Sequence, residues 1–499
     1  MSDTSATTDT DTDTDVVVVG FGPVGATLAG LLAKRGVRTV VVDREIDIYP
    51  LPRAAHVDHE IMRIMQELGC ADEMLAEMRP NSGMDFLSAT HDVLLSMRSP
   101  GETVLGWPAS LFINQPRFEA QLRTAVRRLG ADVRLGSGVA EIDADGSIVR
   151  VTLDDGTLLT TRFVVGCDGA RSFTRRAIGA SMHDLQFEEP WLVVDLVLHR
   201  PVASLPTTAL QVCDPARPHT LVPMPEPRFR FEFMLLPGEN PADMQTPEMV
   251  SELTAGWLPA GVADLERCAV YTFHGLVAQQ WRSGRVLLAG DAAHQMPPFL
   301  GQGMCSGMRD AANLAWKLRA VLDGAPDALL DSYQAEREPH VRAIVDAAVG
   351  FGRIICTLDA EQAAGRDAAM LAERAAAADS PAPAPSGIPL PALDGSLVAT
   401  GGGKPAVQPI VDGQRLDDLV GPHWLVIVAD TAALVDGPAQ WWSSTGATVL
   451  SAHDHPTLLP LLGDGAVATI VRPDRYVFGV GELHELTAVA QQSGAVPRD

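Results

Sequence analysis

VVVVGFGPVG, Val16 to Gly25, is the stretch on which the reading of this chain turns. Four successive valines make a strand buried on both faces, and the glycines at 20, 22 and 25 follow it at GxGxxG spacing. The next segment, ATLAGLLAKRG, is helical with Gly36 as its stop, and RTVVVDRE returns as a second apolar strand. The unit is therefore strand, glycine turn, helix, strand. In that context Gly20, Gly22 and Gly25 let backbone approach a pyrophosphate, and the helix N-terminus offsets its charge. Asp43, ending the second strand, is placed to accept a ribose hydroxyl, with Arg44 along the same nucleotide. These residues predict an adenine dinucleotide without distinguishing NAD from FAD.

A distant segment, GRVLLAGDAAHQMPPFLGQGM from Gly284 to Met304, breaks that tie. RVLLAGD reads as an apolar strand that delivers Asp291 at its C-terminal end, where open α/β sheets bind ligands. Pro297 and Pro298 stiffen the exit, and Gly301, Gln302, Gly303 and Met304 lead into a helix expected from Ser306. Free amides and the positive end of a helix dipole then lie where a reduced isoalloxazine, negative near N1 and O2, would sit. Between the two halves, GCDGARS at Gly166 to Ser172 ends a strand on Asp168, either a third ligand element or a tight turn. His294 is expected to make a structural hydrogen bond.

The 499 residues, 46% of them apolar, suggest two or three domains with ample core. A formal charge of -25 argues against nucleic acid and anionic membranes as partners. No run approaches a membrane span, and six scattered cysteines without a CxxC read as reduced packing residues, which predicts a cytoplasmic protein without a metal site. Residues 1–14 read as a polar tail, 15–185 and 273–374 as the nucleotide-binding domain, and 186–272, rich in short apolar runs, as an antiparallel sheet over the substrate. An Ala/Pro-rich linker over 375–396 and a small α/β unit over 397–499 complete the chain.

With its GxGxxG turn, its DG pair at Asp168 and its GD pair at Asp291, the chain resembles the class A flavoprotein monooxygenases. Within that class YPLPRAAHVDHE (Tyr49 to Glu60), the run from Trp281 to Leu318 and the late VRPDRYV are similar to the 3-(3-hydroxyphenyl)propionate hydroxylase group. The resemblance implies an α/β fold: a Rossmann-like FAD-binding domain of the glutathione-reductase and p-hydroxybenzoate-hydroxylase type, an interleaved antiparallel substrate sheet and a thioredoxin-like C-terminal domain. Lacking CxxC, that last domain should be redox-inert.

The same resemblance assigns roles. Gly20, Gly22, Gly25 and Asp43 fall on the ADP half of FAD, Asp291 on the ribityl chain, and Pro298 with Gly301 to Met304 beside the flavin ring. Arg53 lies near the flavin, Gln115 meets the cofactor, and Asp168 belongs to an element tied to FAD and to NADH or NADPH, which binds transiently. The implied reaction is reduction of FAD, formation of a C4a-hydroperoxide with O2, and hydroxylation of a phenolic ring such as a phenylpropanoid acid or a larger aromatic natural product. A homodimer is compatible with it. His56, beside Arg53, is the expected base for the phenolic proton, against the plainer reading that His56, Asp58 and His59 cap or solvate a helix. Arg228 and Arg230, on one face of a strand, are expected either to meet a substrate carboxylate or to stand in solvent, and Trp441 with Trp442 to fill core or an interface. The alternatives are a flavin halogenase, disfavoured by the absence of WxWxIP, a flavin reductase, and a flavin-binding protein without turnover.

Overall fold

A computed structural model describes residues 12–144, 146–378, 390–435, 437–463 and 465–496. Its first layer is a parallel sheet, in the order Val286–Leu288, Leu158–Gly166, Thr14–Val19, Thr39–Asp43, Asp132–Leu135. The valine run explains why this strand is central. Val16 and Val18 enter the large core under the helices, while Val17 and Val19 join Val40, Val42 and Val164 on the other face. Helix Pro23–Lys34 lies against helices Gln115–Arg128 and Gly303–Leu322. Strands Val139–Asp143 and Val149–Leu153 add an antiparallel meander, turning at Gly156 with φ +85°.

The second layer is an antiparallel sheet built on two long strands, Met182–Leu198 and Ala263–Ala278, followed outward by Arg228–Met234, His219–Val222 and Ala209–Val212. It exceeds the segment 186–272 expected for it. Gly83–Leu87 and Val93–Arg98 extend one edge, and His294–Gln295 closes the other. One face is apolar, with Leu192, Val194, Phe229, Phe231 and Phe233 packed against residues of helix Pro247–Thr254. The opposite face carries Trp191, Asp195, Arg230 and Glu232.

Leu425–Val428 pairs parallel with Thr448–Ser451 and antiparallel with Ala468–Val471, which pairs with Val477–Gly481. With helices Gly437–Ser444, Leu459–Leu462 and Leu483–Ser493, this is a thioredoxin-like arrangement. Trp442 is fully buried 5.4 Å from Trp424, so that ring is core, while Trp441 is only partly covered.

Three boundaries move. Of the expected tail, residues 1–11 lie outside the described residues, but Thr14 already pairs with Thr161 and Asp13 accepts the Thr160 amide, so the sheet starts inside it. Of the expected linker, 379–389 lie outside the described residues, but 375–378 belong to helix Ala360–Ala378, because alanine there serves helix formation. The helix expected from Ser306 starts at Gly303, so Gly303 and Met304 belong to its first turn.

Candidate functional site

The glycine turn has the shape its spacing predicts. Gly20 sits at φ +99° with an added Cβ only 2.5 Å from the Cys167 carbonyl oxygen, and a Cβ on Gly25 would fall 2.0 Å from the Gly20 carbonyl. A Cβ on Gly22 would meet nothing within 4 Å, so the backbone there fronts open space. Gly22 is the N-cap of helix Pro23–Lys34 and supplies no side chain, leaving the first amides of the helix free for an anion. Asp43 is braced beside them, its Oδ2 accepting the Phe21 amide at 2.6 Å and its Oδ1 the Glu45 amide at 2.9 Å. Each oxygen keeps a lone pair for a further donor. Arg44 extends outward, 75% exposed, towards Glu45 at 3.3 Å. Asp168 is a turn brace: one oxygen accepts Ser172 Oγ, the other the Thr174 amide at 2.9 Å and its hydroxyl at 3.0 Å.

At the other end Asp291 lies not at a strand end but in a single 3₁₀ turn, Gly290–Ala292, because the strand stops at Leu288. The turn is anchored by Asp310, whose Oδ2 accepts the Gly290 amide at 3.1 Å and His294 Nε2 at 2.6 Å while Arg337 holds Oδ1 at 2.9 Å. His294 therefore has the structural bond expected of it. Asp291 itself is open to solvent yet crowded by protein, as a group lining a deep cleft is. That crowding pushes its carboxyl up, opposed by His294 and Arg53. Pro298–Leu300 forms another 3₁₀ turn, Gly301 follows at φ +63°, and helix Gly303–Leu322 begins without a side-chain cap. The amides of Gly303, Met304 and Cys305 thus stay unpaired within the helix, a set of donors for a ring bearing negative charge. Gln302 is a brace, giving Nε2 to Asp58 at 3.2 Å and taking Arg309 Nη1 at 3.0 Å on Oε1.

The Tyr49–Arg53 loop is clamped between these ends. Gln115 Oε1 accepts the Arg53 amide at 3.0 Å and the Ala54 amide at 2.6 Å. Arg230 Nη1 donates to the Arg53 carbonyl at 2.8 Å, Arg230 and Arg267 both donate to the Pro52 carbonyl, and Asp195 pairs with the two arginines at 2.7 and 3.4 Å. The Arg53 guanidinium is left exposed, 5.4 Å from the Tyr49 ring centre and in the field of Asp291 and Glu119. Arg228 and Arg230 fit neither of the two expectations, a substrate carboxylate or open solvent: Arg228 is bonded to Glu266, and Arg230, buried, to Asp195 and the loop carbonyls. Asp195 lies on the next strand and Glu266 on the one beyond it, in a register one sequence does not reveal.

His56 packs on the Gly301 turn, its Nδ1 3.1 Å from the Gly301 oxygen and its Nε2 2.7 Å from Ser110 Oγ, which also accepts Asn81 Nδ2 at 2.9 Å. A carbonyl only accepts, so Nδ1 carries the proton and Nε2 takes the Ser110 hydroxyl. Burial, outweighing the opposing field of Asp58, lowers its pKa and keeps the ring neutral. Asp58 instead caps helix His59–Leu68 through the Glu60 and Ile61 amides, and His59 Nδ1 lies 3.0 Å from Thr103 Oγ1. Sequence reasoning passed over Ser110, Asn81, Arg309 and Glu232. Strand pairing brings Ser110 and Glu232 to the site, Asn81 is tied there through Ser110, and Arg309 arrives on helix Gly303–Leu322, its role set by the distant Asp58.

The chain matches the family model described as FAD binding domain over residues 13–348. It belongs to the FAD-dependent monooxygenases. This monooxygenase is 41% identical to a probable NADH-specific resorcinol 4-hydroxylase of Rhodococcus jostii, over 95% of its own length and 93% of the relative's. It is 40% identical to a 3-(3-hydroxy-phenyl)propionate/3-hydroxycinnamic acid hydroxylase of a Mycobacterium species, over 73% of its own length and 64% of the relative's. Its fold is that of aklavinone-11 hydroxylase in complex with FAD and aklavinone, with a TM-score of 0.78, 23% identity and coverage of 98% and 100% of the two chains. p-Nitrophenol 4-monooxygenase from Pseudomonas putida superposes with a TM-score of 0.65 at 27% identity, over 72% of this chain and 93% of that one. Among the described residues no helix is long and apolar enough to cross a membrane, and no His, Cys, Asp and Glu cluster suits a metal ion.

Proposed function

We propose that this monooxygenase hydroxylates a phenolic ring with NADH as reductant and O2 as oxidant, the reaction named for its Rhodococcus relative. The observation that carries this reading is the convergence of the uncapped helix at Gly303, the open Asp291 carboxyl and the clamped Arg53 loop beside the polar face of the antiparallel sheet. Bound FAD supplies the electron-transfer and oxygen-activating chemistry. Gly20, Gly22 and Gly25 admit the pyrophosphate, Asp43 takes the ribose, Asp291 the ribityl hydroxyls, and the Gly303 to Cys305 amides the electron-rich edge of the ring. Pro298 and Gly301 shape that side of the chamber, Gln302 holds it through Asp58 and Arg309, and Gln115 holds the facing Arg53 loop through its backbone amides. Asp168 supports the cofactor indirectly, by setting the Cys167 carbonyl against Gly20.

Removal of the phenolic proton raises electron density at the attacked carbon. His56 is neutral and already holds the Ser110 hydroxyl on Nε2, so a proton delivered to Ser110 Oγ is passed to His56, with Gly301 as the fixed partner of Nδ1. Arg53 steadies negative charge on the same side. The six unpaired cysteines suit a reducing, cytoplasmic setting. To test the reading, the FAD-loaded protein is mixed with NADH, O2 and resorcinol while reductant loss, peroxide and hydroxylated product are followed. Substrate-stimulated NADH loss with matching product is expected. NADH loss that yields peroxide alone with every phenol tried would refute hydroxylation, and failure to bind FAD would refute the whole scheme.

A further inference from the structure

The polar face of the substrate sheet is balanced in charge, and one of its carboxylates is left without a hydrogen bond. Asp195 is bonded to Arg230 and Arg267, and both arginines are further tied to the carbonyl of Pro52. Glu232 stands two residues from Arg230 on the same face, opposite Val193 on one neighbouring strand and Thr220 on the other. It makes no hydrogen bond, and Arg230 Nη1 lies 3.6 Å from its Oε1. The residue is 7% exposed, so the side chain is enclosed but for a small opening.

That opening can be located along the face. On one side of Glu232, Arg230 holds the Arg53 carbonyl. On the other, Met234 pairs with Trp191, whose ring is 5.5 Å from Phe299 in the Pro298–Leu300 turn. Glu232 is therefore flanked by the two loops that border the flavin position. Burial pushes its carboxyl up, with Arg230 and Arg267 opposing and Asp195 adding to the rise.

We propose, resting on the phenol hydroxylase reading above, that Glu232 is the specificity-determining residue of the chamber, accepting a hydroxyl of an uncharged dihydric phenol and disfavouring aryl-alkanoic acids. Two arginines, Arg230 and Arg267, already balance two acids, Asp195 and Glu232, and Arg228 is taken by Glu266. A substrate carboxylate placed here would be a third negative charge with no cation of its own on this face. Arg53 lies on the facing loop and not on this face, exposed beside the Tyr49 ring and in the fields of two further acids, Asp291 and Glu119. A phenolic hydroxyl, by contrast, brings the donor that the Glu232 oxygens lack, forming a charge-assisted bond.

The test measures dissociation constants of resorcinol and of 3-(3-hydroxyphenyl)propionate on the oxidised FAD holoenzyme, from perturbation of the flavin absorbance without NADH. Wild type is expected to bind resorcinol at least about tenfold more tightly, and E232Q with full FAD content to lose about tenfold in resorcinol affinity while gaining for the acid. E232D should recover part of the loss. Tighter binding of the acid by wild type overturns the inference even if no variant folds, as does an E232Q holoenzyme with both constants unchanged. Absence of any aromatic ligand effect in wild type would instead overturn the hydroxylase reading beneath it.

Discussion

Replacing Arg309 by methionine tests how the flavin turn is held. Arg309 is buried, pairs with Asp58, and lies 3.2 Å from Glu60 and 3.0 Å from the Gln302 oxygen. Burial pushes the Asp58 carboxyl up, but Arg309, with His59 and His56, overrides it and holds it at about 2. A carboxyl drawn down from its ordinary value near 4 to that level carries ~2.5 kcal/mol of stability. This contribution is fully present above about pH 4 and is lost as pH falls through about 2, since the depressed pKa belongs to the folded state. Without Arg309, burial of Asp58 is opposed only by His59, His56 and the two helix amides it caps, so its carboxyl would rise. The variant should be less stable by ~3 to 5 kcal/mol near neutral pH, the usual cost of breaking a buried pair. The difference should shrink by more than ~1 kcal/mol towards about pH 3. Urea unfolding followed by tryptophan fluorescence at several pH values measures both numbers. A difference below ~1 kcal/mol at neutral pH, or one that does not change with pH, would refute the reasoning.

Gly20→Ala should purify without FAD, because its φ of +99° and the Cys167 carbonyl 2.5 Å from the new Cβ forbid the turn; flavin content at 450 nm reports it. Asp291→Ala should weaken FAD by about tenfold or more, read by fluorescence titration of the apoprotein, and unchanged affinity would remove Asp291 from the cofactor. Since burial holds His56 neutral, proton NMR of its ring should show no titration between about pH 6.5 and 8, and a midpoint in that range would contradict the assigned bonds to Gly301 and Ser110. Tyr476→Phe, which strips Glu60 of a 2.6 Å bond, should cost about 1 to 2 kcal/mol in urea unfolding, and an unchanged midpoint would deny that bond a structural role.

What the sequence disclosed follows the reach of its signals. The turn at Gly20 to Gly25 and the loop at Gly290 to Gly303 were legible because their geometry is set by residues within a few positions of one another. Even there, detail depended on tertiary partners: Asp168 spends its oxygens on Ser172 and Thr174, and Gln115 on the amides of Arg53 and Ala54. The substrate sheet was legible as a sheet but not in its membership, since Gly83–Leu87 joins Ala209–Val212 across more than a hundred residues. Register decided the rest. It set Arg230 against Asp195, Arg228 against Glu266 and left Glu232 without a hydrogen bond, none of which alternation along one strand could specify.

The Tyr476 hydroxyl bonds Glu60, Glu60 faces Arg309, and Arg309 grips both Asp58 and Gln302 at the edge of the flavin turn. This line of hydrogen bonds, joined by the Glu60–Arg309 ion pair, runs from the thioredoxin-like domain to the N-cap of helix Gly303–Leu322. With the isoalloxazine seated at that turn as proposed, cofactor binding and domain docking would share one set of contacts, and linkage would make their coupling reciprocal. The thioredoxin-like domain would then act as a strut, and whatever it contributed to holding the isoalloxazine, the isoalloxazine would return by keeping the domain seated.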